Sequence, residues 1–222
     1  MVIVSDAVAA PLGKFASVQI EQKLAPDVQT VVIAMPHKFK PENWERLLSA
    51  TRRALLDPDQ FVVRVDISPG SSVADLGAGP GFFTLPLARR VGSSGRVYAL
   101  DVAPEMVARL EALALPAHVE VLLSGESHIP LPDGSVDAAL LAFVLHELES
   151  PQAFLSDVRR IMRPGGRLIV IEWVPQVEEL GPPLGERIAP ETGKAILAEA
   201  GWELRETGVA NASNYYQVYA AS

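Results

Sequence analysis

The chain has 222 residues, of which 49% are hydrophobic and 21% charged, and its formal net charge at pH 7 is −8. This length and hydrophobic content indicate a globular domain with a large core, and the acidic balance argues against nonspecific binding to nucleic acid. The lack of cysteine excludes disulfides, a thiolate nucleophile and a zinc–thiolate site, and it suits a cytoplasmic protein.

Neither membrane insertion nor a metal site is expected. The longest apolar run, Ala138 to Leu145, is too short to cross a bilayer, and the first residues lack the pattern of a secretory signal. The four histidines are scattered and show no metal-ligand spacing.

The chain before the first core strand is predicted to form two helices. Residues 41–56 are expected to be one helix and residues 58–65 a shorter second one, while residues 28–34 are compatible with a strand. The basic pairs Arg52-Arg53 and Arg159-Arg160 are better explained by exposed helix faces than by a nucleic-acid-binding patch.

A strand, a glycine turn and a helix follow, and Val73 to Phe82 read Val-Ala-Asp-Leu-Gly-Ala-Gly-Pro-Gly-Phe. Glycine is needed where the backbone takes positive φ or approaches a ligand closely. A dinucleotide-binding turn has the spacing G-x-G-x-x-G, but here the third glycine comes one residue early. The turn therefore favours a nucleoside ligand without a pyrophosphate over NAD. The alternative is a strand–helix connection with no ligand.

Apolar strands alternate with amphipathic helices from Val73 onward, which is typical of a parallel sheet covered on both faces. Strands are predicted at residues 73–76, 96–100, 119–123, 137–143 and 167–171. Helices are predicted at residues 82–91, 104–113, 151–162 and 190–200. The last segments, residues 202–209 and 215–220, have no helix between them and predict an antiparallel pair at the sheet edge.

Five stretches in this order resemble the class I S-adenosylmethionine-dependent methyltransferases, most closely the small-molecule branch of the ubiquinone/menaquinone-biosynthesis type. They are Asp75-Leu-Gly-Ala-Gly-Pro-Gly81, the strand-ending acid Asp101, Ile129-Pro-Leu-Pro-Asp-Gly-Ser-Val-Asp137, Val144-Leu-His-Glu-Leu148 and Arg163-Pro-Gly-Gly-Arg-Leu168. The resemblance implies an α/β fold: a Rossmann-like, doubly wound, seven-stranded, mostly parallel sheet with one antiparallel edge strand and helices on both faces.

The resemblance begins at Met35 and divides the chain. It implies a methyltransferase domain over residues 35–222, with a helical lid at 35–66 and a sheet core at 73–222. Residues 1–34 are an N-terminal extension of uncertain role, either a genuine extension or a stretch upstream of a true start at Met35. We expect the fold and cofactor binding to survive without them.

The resemblance implies S-adenosylmethionine as cofactor and S-adenosylhomocysteine as product. Strand ends are where open α/β sheets bind ligands. Asp101 is expected to accept both ribose hydroxyls, although a helix N-cap is its alternative role, and Asp75 to help hold the methionine end. The expected cofactor contacts are Asp75, Gly77, Ala78, Gly79, Gly81, Phe82, Asp101, Val102, Met106, Gly125, Glu126, Ala142 and Phe143.

Two of these contacts carry open alternatives. Many relatives have an acid at the position of Gly125, whereas here the acid is Glu126, so either its side chain or the backbone contacts adenine. Met106 packs either on the adenine face or in the core.

The acceptor pocket is expected between residues 37–39, the His146-Glu147 loop and the strand end at Glu172-Trp173. His146 is a candidate general base or substrate contact because its ordinary pKa is near neutral, and Glu172 is the candidate carboxylate beside it. The alternative for His146 is a structural role in its loop.

These observations predict methyl transfer to a small-molecule acceptor whose identity is not readable, by a monomer or homodimer. A nicotinamide-dependent Rossmann oxidoreductase is the alternative enzyme, and the glycine spacing disfavours it. A non-catalytic cofactor-binding module is the other alternative, because methyl transfer has no obligatory catalytic residue.

Overall fold

The computed structural model describes residues 39–176 and 180–221. The strands are β1 (Ser72–Leu76), β2 (Arg96–Asp101), β3 (Val119–Leu123), β4 (Val136–Ala142), β5 (Met162–Trp173), β6 (Trp202–Asn211) and β7 (Asn214–Ala221). The helices are α1 (Ala50–Leu55), α2 (Pro58–Arg64), α3 (Thr84–Val91), α4 (Pro104–Glu111), α5 (Pro151–Ile161) and α6 (Pro190–Glu199), with 3₁₀ helices at Pro41–Leu48, Leu145–Glu147 and Leu184–Glu186. The strand suggested at residues 28–34 lies outside the described residues.

The seven strands form one sheet in the order β3-β2-β1-β4-β5-β7-β6. Strands β1 to β5 pair in parallel, whereas β7 is antiparallel to both β5 and β6. The final strand is reversed because only Ala212 and Ser213 separate it from β6, and Ser213 N–H donates to the Asn211 side chain in this tight turn at 2.8 Å. The α/β fold class is confirmed. The reversed strand lies one position in from the edge, which β6 occupies.

Alternating side chains of β1 pack into two hydrophobic cores, one on each face of the sheet. Val73 packs in the core that holds Phe61 of α2 and Leu87 of α3, while Ala74 packs in the core that holds Leu155 of α5. Full burial of each large apolar side chain contributes about 1.5–3 kcal/mol. The two-sided cover explains why the parallel strands are apolar on both faces.

The N-terminal helices differ from the prediction of one helix over residues 41–56. The 3₁₀ helix Pro41–Leu48 ends at Ser49, whose backbone is extended with φ −60° and ψ 150°. The Ser49 hydroxyl then accepts a hydrogen bond from Arg52 N–H at 3.2 Å and caps α1. A serine side chain competes in this way with the continuous helix and starts a new one.

Strand β5 begins five residues before its predicted start at residue 167. Val136 of β4 pairs with Met162, and a register irregularity separates this pair from the regular ladder that starts with Ala138 and Arg167.

Among the helices of the described residues, none is long and apolar enough to span a membrane.

Candidate active site

The order of the sheet reverses between β1 and β4, and the crevice at their carboxyl ends is the expected binding place of an open α/β sheet. The glycine turn follows β1, Asp101 ends β2 and Phe143 follows β4. The topology thus brings three of the predicted strand-end positions to one edge.

The glycine turn lies close to its neighbours and needs glycine for two reasons. Gly77 and Gly79 have φ values of 71° and 54°, in the left-handed region. A Cβ atom on Gly77 would collide with the Val144 side chain. The amides of Gly77 and Ala78 both donate to the Leu100 carbonyl at 2.9 Å, which fixes the turn against β2.

Asp101 is held by two backbone amides beside the turn. Its Oδ2 accepts from Gly79 N–H at 2.8 Å, and its Oδ1 accepts from Ala103 N–H at 2.9 Å. Burial raises the pKa of this carboxyl, although the backbone hydrogen bonds oppose the shift. Ala103, and not Asp101, is the N-cap residue of α4. Each carboxylate oxygen keeps acceptor capacity for a further donor.

Two exposed apolar residues neighbour Asp101, one next to it in the chain and one beside it on β3. Val102 is 44% exposed, and Leu123, which pairs with Asp101 in the β2–β3 register, is 53% exposed. Glu126 is exposed on the loop after β3, while Gly125 N–H donates to the His128 carbonyl at 2.9 Å.

Two more of the predicted cofactor residues are buried: Met106 of α4 and Asp75 of β1. Met106 is buried in α4, as its core alternative requires. Asp75 is buried, and its Oδ2 accepts from the Thr84 hydroxyl at 2.7 Å, so it ties β1 to α3. Burial raises the pKa of Asp75 to about 7, and the charge of Asp101 adds to this shift.

Phe143 has a strained backbone at the end of β4. Its φ is 62°, which is unusual for a bulky residue and is found mostly at functional sites. Its ring centroid lies 5.3 Å from that of Trp173. Ala142, just before it, is half-buried. Phe82, on the other side of the crevice, is buried and packs edge-on against Phe83 at 5.1 Å.

Arg52 contradicts the expectation of an exposed basic pair. Its guanidinium carbon lies 4.7 Å from the Phe82 ring centroid and 4.8 Å from that of Phe143. The residue is half-buried, its Nε is enclosed without a hydrogen-bond partner, and burial lowers its pKa to about 10. Arg53 is exposed as expected, although its guanidinium carbon also lies 5.4 Å from the Phe82 ring centroid. Arg160 also differs, since it donates to Asp133 at 2.8 Å and fixes a loop.

The N-terminal helices lie against the glycine turn and α4. The Leu47 methyl group lies 3.6 Å from the position that a Cβ on Gly79 would take. The Trp44 ring is stacked by the Arg109 guanidinium, whose central carbon is 4.1 Å from the ring centroid. The 3₁₀ helix Pro41–Leu48 therefore contacts both the glycine turn and α4.

His146, in the 3₁₀ helix after β4, and Glu172, near the end of β5, form a buried pair. His146 Nδ1 lies 3.0 and 2.9 Å from the two carboxylate oxygens of Glu172, which is fully buried. Burial lowers the pKa of His146, but the charge and hydrogen bond of Glu172 outweigh it, and Glu147 and Glu186 add to the net rise. In the neutral imidazole the carboxylate contact favours the proton on Nδ1, which leaves a lone pair on Nε2.

The surroundings of this pair are acidic and aromatic. Glu147 lies 3.8 Å from His146 Nε2 and accepts from Phe39 N–H, and burial raises the pKa of Glu147. Residues 37 and 38 of the predicted pocket lie outside the described part. The Arg187 guanidinium stacks on Trp173 at 5.4 Å and donates to the Leu180 carbonyl at 2.6 Å.

Sequence reasoning placed Arg52 on an exposed helix face, and it gave Glu186 and Arg187 no individual role in the loop 181–187, which the resemblance sets at the boundary of the acceptor pocket. Glu186 has a buried oxygen, Oε2, without a hydrogen-bond partner. No local pattern marks these residues, because each reaches the site through tertiary packing. Within residues 39–176 and 180–221, no group of three or more potential metal ligands is clustered.

The family model and a solved structure that match this chain both describe methyltransferases. The family model described as "Methyltransferase domain" matches residues 74–170. The solved structure of a SAM dependent methyltransferase from Aquifex aeolicus is 34% identical with a TM-score of 0.79, and the match covers 82% of this chain and 98% of that one. The chain belongs to the class I S-adenosylmethionine-dependent methyltransferases. This membership decides against the nicotinamide alternative.

The matches among curated proteins cover only part of those proteins. An uncharacterized 37.1 kDa protein in transposon TN4556 of Streptomyces fradiae is 46% identical over 110 residues, which are 49% of this chain and 32% of that protein. Ubiquinone/menaquinone biosynthesis C-methyltransferase UbiE of Cupriavidus pinatubonensis is 28% identical over 63% of this chain and 59% of that protein. Arsenite methyltransferase of Halobacterium salinarum is 31% identical over 63% of this chain and 39% of that protein.

Proposed function

We propose that this methyltransferase acts on a small hydroxylated aromatic acceptor and that His146 takes the acceptor's proton. The observation that carries the proposal is the buried contact between His146 Nδ1 and the Glu172 carboxylate at 2.9 Å, at the carboxyl ends of β4 and β5. Such a pair is the usual way to hold an imidazole in one tautomer and orientation for proton transfer.

The residues at the crevice fit S-adenosylmethionine. The two oxygens of Asp101 are fixed by backbone amides with capacity left for two ribose hydroxyls. The exposed side chains of Val102 and Leu123 offer apolar contact to a purine ring. Asp75 holds the start of α3 against β1 on the two sides of the glycine turn, because its carboxylate accepts a hydrogen bond from the Thr84 hydroxyl. When bound, the cofactor supplies an electrophilic methyl group on its sulfonium.

The chain's own residues then have three tasks. The N-terminal helices exclude water from the crevice and act as a lid. The aromatic walls Phe143 and Trp173 align the acceptor, a proximity effect of several kcal/mol. His146 Nε2 accepts the proton that the acceptor loses, and Glu172 stabilises the imidazolium that forms.

A hydroxylated ring is the acceptor class that these groups suit best. Removing the proton of a phenol raises electron density on its oxygen and on the adjacent ring carbons, so a base serves both O- and C-methylation. The names of the UbiE relatives include C-methylation in quinone biosynthesis, which agrees with a ring acceptor. Arsenite fits less well, because the chain has no cysteine to hold it.

The test follows transfer of an isotopically labelled methyl group to a panel of phenols and quinols. We expect His146→Ala to lower turnover by about 10²–10⁴-fold with cofactor affinity unchanged. His128→Ala, which removes an exposed histidine, is the matched control and should keep full activity. If S-adenosylhomocysteine binds but no panel member is methylated, the proposed acceptor class is wrong. The oligomeric state and a cytoplasmic location stay predictions.

A further inference from the structure

Arg52 is a cation without a counter-charge in a place where burial makes that costly. Its guanidinium lies between the Phe82 and Phe143 rings, and its Nε has no hydrogen-bond partner. Within the described part of the chain, no carboxylate pairs with it or shifts its pKa, which burial alone lowers. Cation–π contacts of about 1–2 kcal/mol offset only part of the cost of desolvating a charge.

The location of Arg52 indicates which anion it meets. Phe82 directly follows the glycine turn, and Phe143 follows the strand beside it, so the guanidinium caps the end of the crevice nearest β4. Asp101 holds the opposite end, beside β2 and β3. A nucleoside anchored at Asp101 therefore extends its other end toward Arg52. A guanidinium presents a planar set of donors that matches a carboxylate.

We propose that Arg52 binds the carboxylate of the methionine end of the cofactor and that this contact pins α1 over the loaded crevice. The inference rests on the assignment of S-adenosylmethionine as cofactor. The alternative source of the same chemistry is a carboxylate on the acceptor. The observations favour the cofactor, because Arg52 stacks on Phe82 directly after the glycine turn, and its other ring partner, Phe143, follows the strand that pairs with β1 beside that turn.

The contact gives the N-terminal helices a cofactor-dependent position. Arg52 is the third residue of α1, and Ser49 and the preceding 3₁₀ helix are continuous with it. When the carboxylate is present, the ion pair adds to the contacts of Leu47 and Trp44. Cofactor binding should therefore slow amide hydrogen exchange in residues 41–56, and a ligand without the carboxylate should do so much less.

The experiment compares two ligands by titration calorimetry: S-adenosylhomocysteine and its decarboxylated analogue, which keeps the amine. Wild-type protein should bind the carboxylated ligand about 10- to 100-fold more tightly, the range of one charged hydrogen bond or ion pair. Arg52→Gln should bind both ligands with similar affinity, at the level of the analogue. Arg46→Gln removes the same charge from an exposed residue of the preceding 3₁₀ helix and should discriminate as wild type does.

Thermal unfolding without ligand separates this result from misfolding, since Arg52→Gln should melt at or above the wild-type temperature once the unpaired charge is gone. Equal discrimination by Arg52→Gln and wild type would overturn the proposal and favour an acceptor carboxylate. The wild-type comparison needs no mutation, so a poorly folded variant does not remove the test. If the wild type binds neither ligand, the cofactor assignment itself fails.

Discussion

The amide of Gly79 donates a hydrogen bond of 2.8 Å to Oδ2 of Asp101, and this contact joins the glycine turn after β1 to the end of β2. A second amide, from Ala103, holds Oδ1 at 2.9 Å. The carboxylate therefore does not need to reorganise when a ligand arrives. Preorganised acceptors lose less conformational entropy on binding than mobile ones.

Asp101→Ala should weaken S-adenosylhomocysteine binding by about 1.5–3 kcal/mol, because hydrogen bonds to a charged group are lost. The measurement is titration calorimetry. Glu105→Ala, which removes an exposed acid in the first turn of α4, should bind as wild type does. NADH should give no measurable heat. Binding of NADH but not of S-adenosylhomocysteine would refute the site.

Asp75 should make the stability of the ligand-free protein fall as pH rises from about 4 to 7. Its pKa is raised from 3.8 to about 7 in the folded chain, so in this window the folded state holds a proton that the unfolded state has lost. The free energy of unfolding then falls by up to about 1.4 kcal/mol per pH unit. Asp75→Asn removes the effect.

The check is urea unfolding of wild type and Asp75→Asn at pH 4.5, 5.5 and 7. The advantage of the variant should grow with pH, because the wild type alone carries the penalty for ionising the buried carboxyl. A difference between the two proteins that stays constant over this range would show that Asp75 does not titrate there.

Gly77→Ala should destabilise the fold by about 2–5 kcal/mol. The substitution combines a left-handed backbone, worth about 1–2 kcal/mol, with a collision against Val144 of the overpacking kind, worth about 1–3 kcal/mol. Gly134→Ala is the matched control, since φ is 59° there and no atom lies within 4 Å of the added Cβ. The free energy of unfolding of Gly134→Ala should fall only by the contribution of the left-handed backbone, about 1–2 kcal/mol. Equal losses in urea unfolding would mean that the crowding at Gly77 relaxes.

Local patterns predicted the parts of the fold and site that depend on short stretches of sequence. The glycine turn, the strand that ends at Asp101 and the terminal hairpin each follow from residues close in the chain. The contact of His146 with Glu172 depends on the register of β4 against β5, in which Ala142 pairs with Ile171. Sequence placed both residues at strand ends but did not give their separation.

The parts that sequence did not predict depend on competition or tertiary packing. Ser49 is compatible with a helix interior and with a cap, and its hydroxyl contact with the Arg52 amide decides for the cap. The position of Arg52 over Phe82 and Phe143 exists only after α1 packs on the sheet. A basic pair in an amphipathic segment carries no sign of such a contact.

The pH dependence of kcat/KM in wild type and Glu172→Gln tests the central proposal, proton transfer to His146, most directly. Because the pKa of His146 is raised above 6.5 mainly by Glu172 against the opposing effect of burial, activity should rise with pH through an apparent pKa above 6.5. In Glu172→Gln the rise should move to lower pH, since burial remains and the carboxylate charge is gone. A profile that is flat from pH 5 to 9, or identical in the two proteins, would contradict the assignment of His146 as the base.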